Sequence, residues 1–133
     1  MRYMLDTNIC IYLIKKSPEN VLHRFRKHTV GEIGISSITL AELSFGVEKS
    51  MHIERNRQAL EEFVAPLDIA PFDEKAASAY GSIRTDLERG GTPIGAMDLL
   101  IAAHAASLGV TLVTNNVREF NRIRKLKVAD WAS

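Results

Sequence analysis

A single cysteine, Cys10, stands in 133 residues, which excludes an internal disulfide and suits a reducing compartment. The four histidines, His23, His28, His52 and His104, do not pair with it at zinc-ligand spacing. No apolar stretch approaches the ~20 residues that span a bilayer, and no signal-peptide core opens the chain. A cytoplasmic protein with no membrane partner is the expectation. Neither sign of charge dominates, because 17 Lys and Arg face 16 Asp and Glu for a formal net charge of +1. Bulk charge therefore announces no nucleic-acid binder, and local charge has to be read instead. Internal repeats, low-complexity tracts and linkers are missing as well. What is present is 46% hydrophobic and 25% charged, ordinary for a globular chain and long enough for one domain, 1–133, with a proper core.

Short apolar runs alternate with helical periodicity. "YML" (3–5) reads as a strand ending at Asp6, and "TNICIYLIKK" as a helix with Ile9, Tyr12 and Leu13 on one face. "EIGIS" (32–36) is a second strand, followed by a helix over 39–49 and another over 52–64. "LDIAP" (67–71) is a brief strand closed by Pro71, and 73–89 a helix stopped by Gly90 and Gly91. Residues 96–108 form a helix apolar nearly all round, hence buried, with Gly109 as its stop. "VTLVT" (110–114) is a strand, 117–126 a short basic helix, and 127–131 a last strand. This alternation predicts an α/β fold with right-handed crossovers and a mainly parallel sheet covered on both faces. Such a sheet binds ligands at the carboxyl ends of its strands. Asp6, Thr7 and Asn8 stand there after the first strand, and Thr114, Asn115 and Asn116 after the fourth.

Three acids merit attention, each with a local explanation beside a chemical one. Asp6 fits the cap of a strand-to-helix corner. Glu42 fits a capping box in "TLAE", with Thr39 as N-cap. Asp98 lies in the first turn of the buried helix, where a carboxylate complements the dipole, yet is costly unless solvated, paired or bound to a cation. Clustered carboxylates raise one another's pKa, and an oxygen-only set points to Mg²⁺ or Mn²⁺ over zinc. The matching chemistry is metal-assisted hydrolysis of a phosphodiester.

"MLDTN", "SSITLAEL", "GTPIGAMDLLIAAHA" and "LVTNNVREF" resemble, in order, the signature blocks of the PIN-domain ribonucleases, most closely the VapC-type toxins of bacterial toxin–antitoxin pairs. The resemblance runs from Tyr3 to Trp131. It implies a three-layer α/β/α sandwich with strand order 3-2-1-4-5. It assigns Asp6, Glu42 and Asp98 to a divalent metal, Thr7 and Asn8 to the polar pair after the first acid, and Thr114 to the hydroxyl of the fourth block. It further implies a dimer, a VapB-type antitoxin as partner in a hetero-oligomer, and RNA cut in a loop. The likeness leans toward the enteric VapC group, for which tRNA, specifically initiator tRNA, is the expected substrate. One position departs from the pattern: where many members carry an aspartate, this chain has Asn116. Glu119 could supply the missing carboxylate, or could form a capping box with Asn116; both readings stand at this point.

Arg118, Arg122, Arg124, Lys125 and Lys127 cluster beside the fourth block, and Lys15, Lys16, His23, Arg24, Arg26, Lys27 and His28 near the start. Charge runs are commonly solvated faces, but an acidic site that cuts a polyanion needs cations at its rim. Arg118, Arg122, Arg124 and Lys125 are the RNA-binding candidates. Two rivals remain: a phosphorelay receiver domain, which would want adjacent acids after the first strand and a phosphoacceptor after the third, and a PIN module emptied of metal by Asn116.

Overall fold

A computed structural model describes residues 1–29 and 31–132. In chain order the elements are β1 (Tyr3–Leu5), α1 (Thr7–Lys15), α2 (Glu19–Arg26), β2 (Ile33–Ser36), α3 (Ser37–Glu48) and α4 (Ile53–Val64). They continue with β3 (Asp68–Ala70), α5 (Glu74–Arg89), α6 (Ala96–Leu108), β4 (Thr111–Val113), α7 (Val117–Phe120) and β5 (Lys127–Ala129). The sheet runs β3-β2-β1-β4-β5, and every pair is parallel. That order separates the fold from a receiver domain, whose doubly wound sheet is ordered 2-1-3-4-5.

Side-chain alternation along the central strands divides the core into two. Met4 and Leu112 point to the face covered by α5 and α6, where they meet Ile83, Leu87, Leu99 and Ile101. Leu5 and Val113, the next residue on each strand, turn to the other face and pack with Ile9, Leu13, Leu43 and Leu60 of α1, α3 and α4. The result is the expected three layers. Helix α6 is apolar all round because Leu99, Ile101, Ala102, Ala103 and Ala105 are all buried against the sheet and neighbouring helices. Gly34 is needed where β2 meets β3, since a Cβ there would lie 2.6 Å from the Asp68 carbonyl oxygen.

Four local expectations change. Residues 23–28, read only as a charge cluster, include the second half of helix α2, whose one fully buried side chain is Val21. So little burial leaves a faint periodic signal. Helix α3 begins at Ser37 with Ser36 as its N-cap, three residues earlier than Thr39. The basic helix 117–126 shortens to Val117–Phe120. Beyond it, turn bonds from Arg122 to Glu119, Ile123 to Phe120 and Leu126 to Ile123 carry the chain on and bury Ile123 and Leu126. The last strand ends at Ala129, two residues before the buried Trp131.

Candidate active site

The order β2-β1-β4 at the centre of the sheet brings the ends of these strands side by side, and each end delivers polar side chains to one edge. Asp6 follows β1 directly. Its backbone N–H donates to the Val113 carbonyl at 3.0 Å, tying it to the end of β4. Its carboxylate accepts the Ile9 N–H at 2.9 Å and so caps α1. Asp6 is buried, and that burial raises its pKa from 3.8 to about 6, against the stabilising Thr114 hydroxyl and Ile9 amide and with the charges of Asp98 and Glu42 adding to the rise. Thr114, fully buried just beyond β4, also accepts the Asn116 backbone N–H at 2.9 Å.

Glu42 sits in the second turn of α3, so the capping-box reading fails. Ser36 is the cap, its hydroxyl accepting the Ile38 N–H at 3.0 Å. Thr39 is buried inside the helix, and its hydroxyl has no hydrogen-bond partner among the described residues. With no backbone amide to satisfy, the Glu42 carboxylate instead accepts the Thr7 hydroxyl at 2.6 Å across from α1. Asn8 is exposed and bonded to none of the acids.

Asp98 occupies the first turn of α6, half-buried, and accepts no hydrogen bond from any described residue. Its pKa is raised by burial first, then by the charges of Glu119 and Glu42. Glu119 therefore does reach this edge. One of its oxygens accepts the Asn116 side-chain amide at 2.7 Å, and the other accepts the Gly95 backbone N–H at 3.4 Å. Asn116 is the N-cap of α7 by position, but its side chain makes no capping bond. The box between Asn116 and Glu119 is replaced by a side-chain pair facing the acids. Gly95 was not anticipated; within "GTPIGAM" a lone backbone amide carries no sequence signal.

Four carboxylates thus share one edge, yet no three His, Cys, Asp or Glu side chains among the described residues stand close enough to enclose an ion as they lie. Hydrogen bonds hold three of the four: Thr7 holds Glu42, Asn116 and Gly95 hold Glu119, and Ile9 holds Asp6. The donor set is oxygen-only. Cys10 is buried with its thiol pushed up by burial, and His104 is engaged with Ser36 at 2.7 Å. Spaced carboxylates and an unsatisfied Asp98 fit a hard divalent cation that keeps several of its waters and takes few protein ligands. Burial first, and the neighbouring carboxylates after it, raise the pKa of Asp6 and Asp98, and the repulsive part is what such a cation would relieve.

The basic candidates do not converge on the acids. Arg118 is exposed on α7, Arg122 donates to the Pro93 carbonyl at 3.1 Å, and Arg124 and Lys125 are exposed in the turns before β5. In the early cluster, His28 stacks on Trp131 and faces Glu32, a structural role. Lys15 instead lines an apolar groove of about 330 Å³ with Ile11, Ile14, Leu43 and Leu60 that opens beside Thr7 and Glu42. Asp73, the acid nearest the end of β3, caps α5 through the Ala76 N–H at 3.0 Å.

Residues 3–126 match the PIN domain family. The tRNA(fMet)-specific endonuclease VapC of Salmonella typhimurium is 47% identical over 131 residues, 98% of each chain. The structure of DNA-bound VapBC from Salmonella typhimurium matches with a TM-score of 0.94 at 46% identity over 99% of both chains. VapBC2 from Rickettsia felis, bound to a DNA fragment from its promoter, matches with a TM-score of 0.90 at 46% identity over 98% of this chain and 99% of that one. With a parallel 3-2-1-4-5 sheet, acids at its central strand ends and this likeness along its whole length, the chain belongs to the PIN-domain family, and within it to the VapC ribonucleases.

Proposed function

We propose that the protein is the toxin of a toxin–antitoxin pair and a metal-dependent endoribonuclease that cuts tRNA in a loop, with initiator tRNA as the favoured substrate. The observation that carries the reading is Asp98: a half-buried carboxylate without a protein donor, its pKa raised by burial and by the charges of Glu119 and Glu42, and its own charge acting on Asp6. Asp6, Glu42 and Asp98 would hold Mg²⁺ or Mn²⁺, with Glu119 completing the set. When bound, the cation would lower the pKa of an attacking water and polarise the phosphoryl oxygen. The chain's own work is positional. Ile9 and Thr114 fix the Asp6 carboxylate, Thr7 fixes Glu42, and Asn116 with Gly95 fixes Glu119. Burial of Asp6 keeps bulk water from one side of the cluster. Asn8, free at the helix start, is placed to orient substrate.

The likeness to VapBC complexes supports a VapB-type antitoxin as partner. The apolar groove between α1, α3 and α4 opens beside Glu42 and would take an apolar segment of that partner. A homodimer, and a hetero-oligomer with the antitoxin, belong to the same reading. No helix among the described residues is long and apolar enough to cross a membrane, and a tRNA substrate puts the activity in the cytoplasm. The test is incubation of the purified protein with total tRNA in Mg²⁺, in Mn²⁺ and in EDTA, beside Asp98→Asn. Cleavage confined to the cation-containing wild-type reactions is expected. Cleavage in EDTA, or by Asp98→Asn at the wild-type rate, would overturn the assignment, and no cleavage at all would favour the binding module emptied by Asn116.

A further inference from the structure

A cavity of about 520 Å³ opens between the C-terminal turns of α5 and the turns that follow α7. Its charged lining is Arg89, Arg122, Arg124 and Lys125 against one acid, Asp86, and none of the four site carboxylates lines it. Ion pairs elsewhere in the chain join Arg57 to Glu48 and Glu54, and Arg84 to Glu88. Arg89, Arg124 and Lys125 have no hydrogen-bond or ion-pair partner among the described residues. Arg89 ends α5, where a cation complements the helix dipole, but that account does not extend to Arg124 and Lys125, which lie in turns. Like charges around one concavity repel, and Asp86 can offset only one of the four. An anion would offset the others.

The 90–95 segment ties this cavity to the acids. Thr92 lines the cavity, Pro93 accepts the Arg122 N–H at 3.1 Å, and the Gly95 N–H donates to Glu119 at 3.4 Å. From Thr92 to Gly95 the chain reaches at most about 10 Å, the rise of roughly three nucleotides along a duplex strand. Guanidinium forks match phosphate oxygens in pairs, and the volume falls within the range of small-molecule sites. Resting on the ribonuclease reading above, we propose that Arg89, Arg124 and Lys125 hold a backbone phosphate of the RNA substrate a few nucleotides from the bond that is cut, while Arg122 braces the segment between the two sites.

The experiment combines Arg89→Gln, Arg124→Gln and Lys125→Gln in the full chain. Binding of a fluorescent tRNA pool is measured in EDTA across a salt series, beside a control carrying Lys49→Gln, Arg55→Gln and Lys75→Gln. The salt slope is expected to fall by about one per lost contact, with binding at least tenfold weaker in 0.1 M salt, and the control slope is expected to stay with the wild type. Independently of folding in the variant, saturating tRNA should protect Arg89 and Arg124 of the wild type from phenylglyoxal, read by peptide mass. Unprotected arginines, a wild-type slope in the cavity variant, or an equal fall in the control would overturn the proposal while wild-type cleavage keeps the nuclease reading. Loss of antitoxin binding with RNA binding intact would also overturn it, in favour of an acidic protein partner. A wild type that neither binds nor cuts tRNA would remove both.

Discussion

Asp6 caps α1 through the Ile9 amide, and the same buried carboxylate lies within the field of Asp98 and Glu42. Its folded pKa of about 6 exceeds the ordinary 3.8. The folded state therefore holds a proton that the unfolded state has released, and the stability this brings at low pH is lost as pH rises toward 6. At neutral pH the loss amounts to roughly 3 kcal/mol at most. Asn serves as well as Asp at an N-cap. Asp6→Asn is accordingly expected to raise the denaturation midpoint of the metal-free protein at pH 7.5 while abolishing tRNA cleavage; a destabilised variant would contradict the argument. Glu119 and Asn116 offer a second contrast. Glu119→Gln should cut the rate by two orders of magnitude or more and raise the cation concentration required. Asn116→Ala should cost less, because Gly95 still holds Glu119. Steady-state rates across a Mg²⁺ titration decide, and the reverse ranking would make Asn116 the ligand. Asp6 and Asp98 were legible in the sequence because one follows a strand and the other lies in the first turn of a buried helix, whereas Glu42 sits a turn inside α3. Glu42's partner was not legible: its neighbours in "TLAE" suggest a cap, and only the fold brings Thr7 across from α1.

Helices α3 and α6 carry Glu42 and Asp98, and a buried polar pair joins them. His104 of α6 lies 2.7 Å from the Ser36 hydroxyl that caps α3, with Phe72 edge-on at 5.4 Å. Burial holds the imidazole below its ordinary 6.5. An unfolded chain takes up a proton at 6.5 that the folded one refuses, so this contribution to stability is present above pH 6.5 and lost as pH falls below it. The thermal midpoint of wild type relative to His104→Gln should therefore decline between pH 7 and 5, a trend opposite to the one Asp6 imposes. A constant difference would mean that the imidazole does not titrate. Element boundaries were readable where periodicity is strong, as in α4 and α5, and lost where it is weak. Helix α2 buries too little to announce itself, and α7 ends after four residues because Ile123 and Leu126 turn inward one after the other.

At the scale of the whole molecule, four carboxylates drawn to one edge set stability against charge. A divalent cation at about a hundred times its dissociation constant should add roughly 2.7 kcal/mol, a rise in melting temperature of about ten degrees for a chain of this size. Asp98→Asn should remove most of that rise, and a wild type indifferent to Mg²⁺ and Mn²⁺ in calorimetry would argue against the site. The sheet class was legible from alternating strands and helices, whereas its order 3-2-1-4-5 came only with the family resemblance, since local pattern does not say which strands become neighbours. That order bears on synthesis. β4 is inserted between β1 and β5, and Glu119 lies beyond it, so the edge is assembled from the first residues made and nearly the last. No amino-terminal fragment that stops before Glu119 contains all four acids. On the assignment proposed above, a growing chain on the ribosome lacks the complete site until residue 119 has emerged, and chains stalled before that point should show no tRNA cleavage where full-length released protein does. The interval of translation becomes a period of safety written into the strand order, during which an antitoxin has time to arrive.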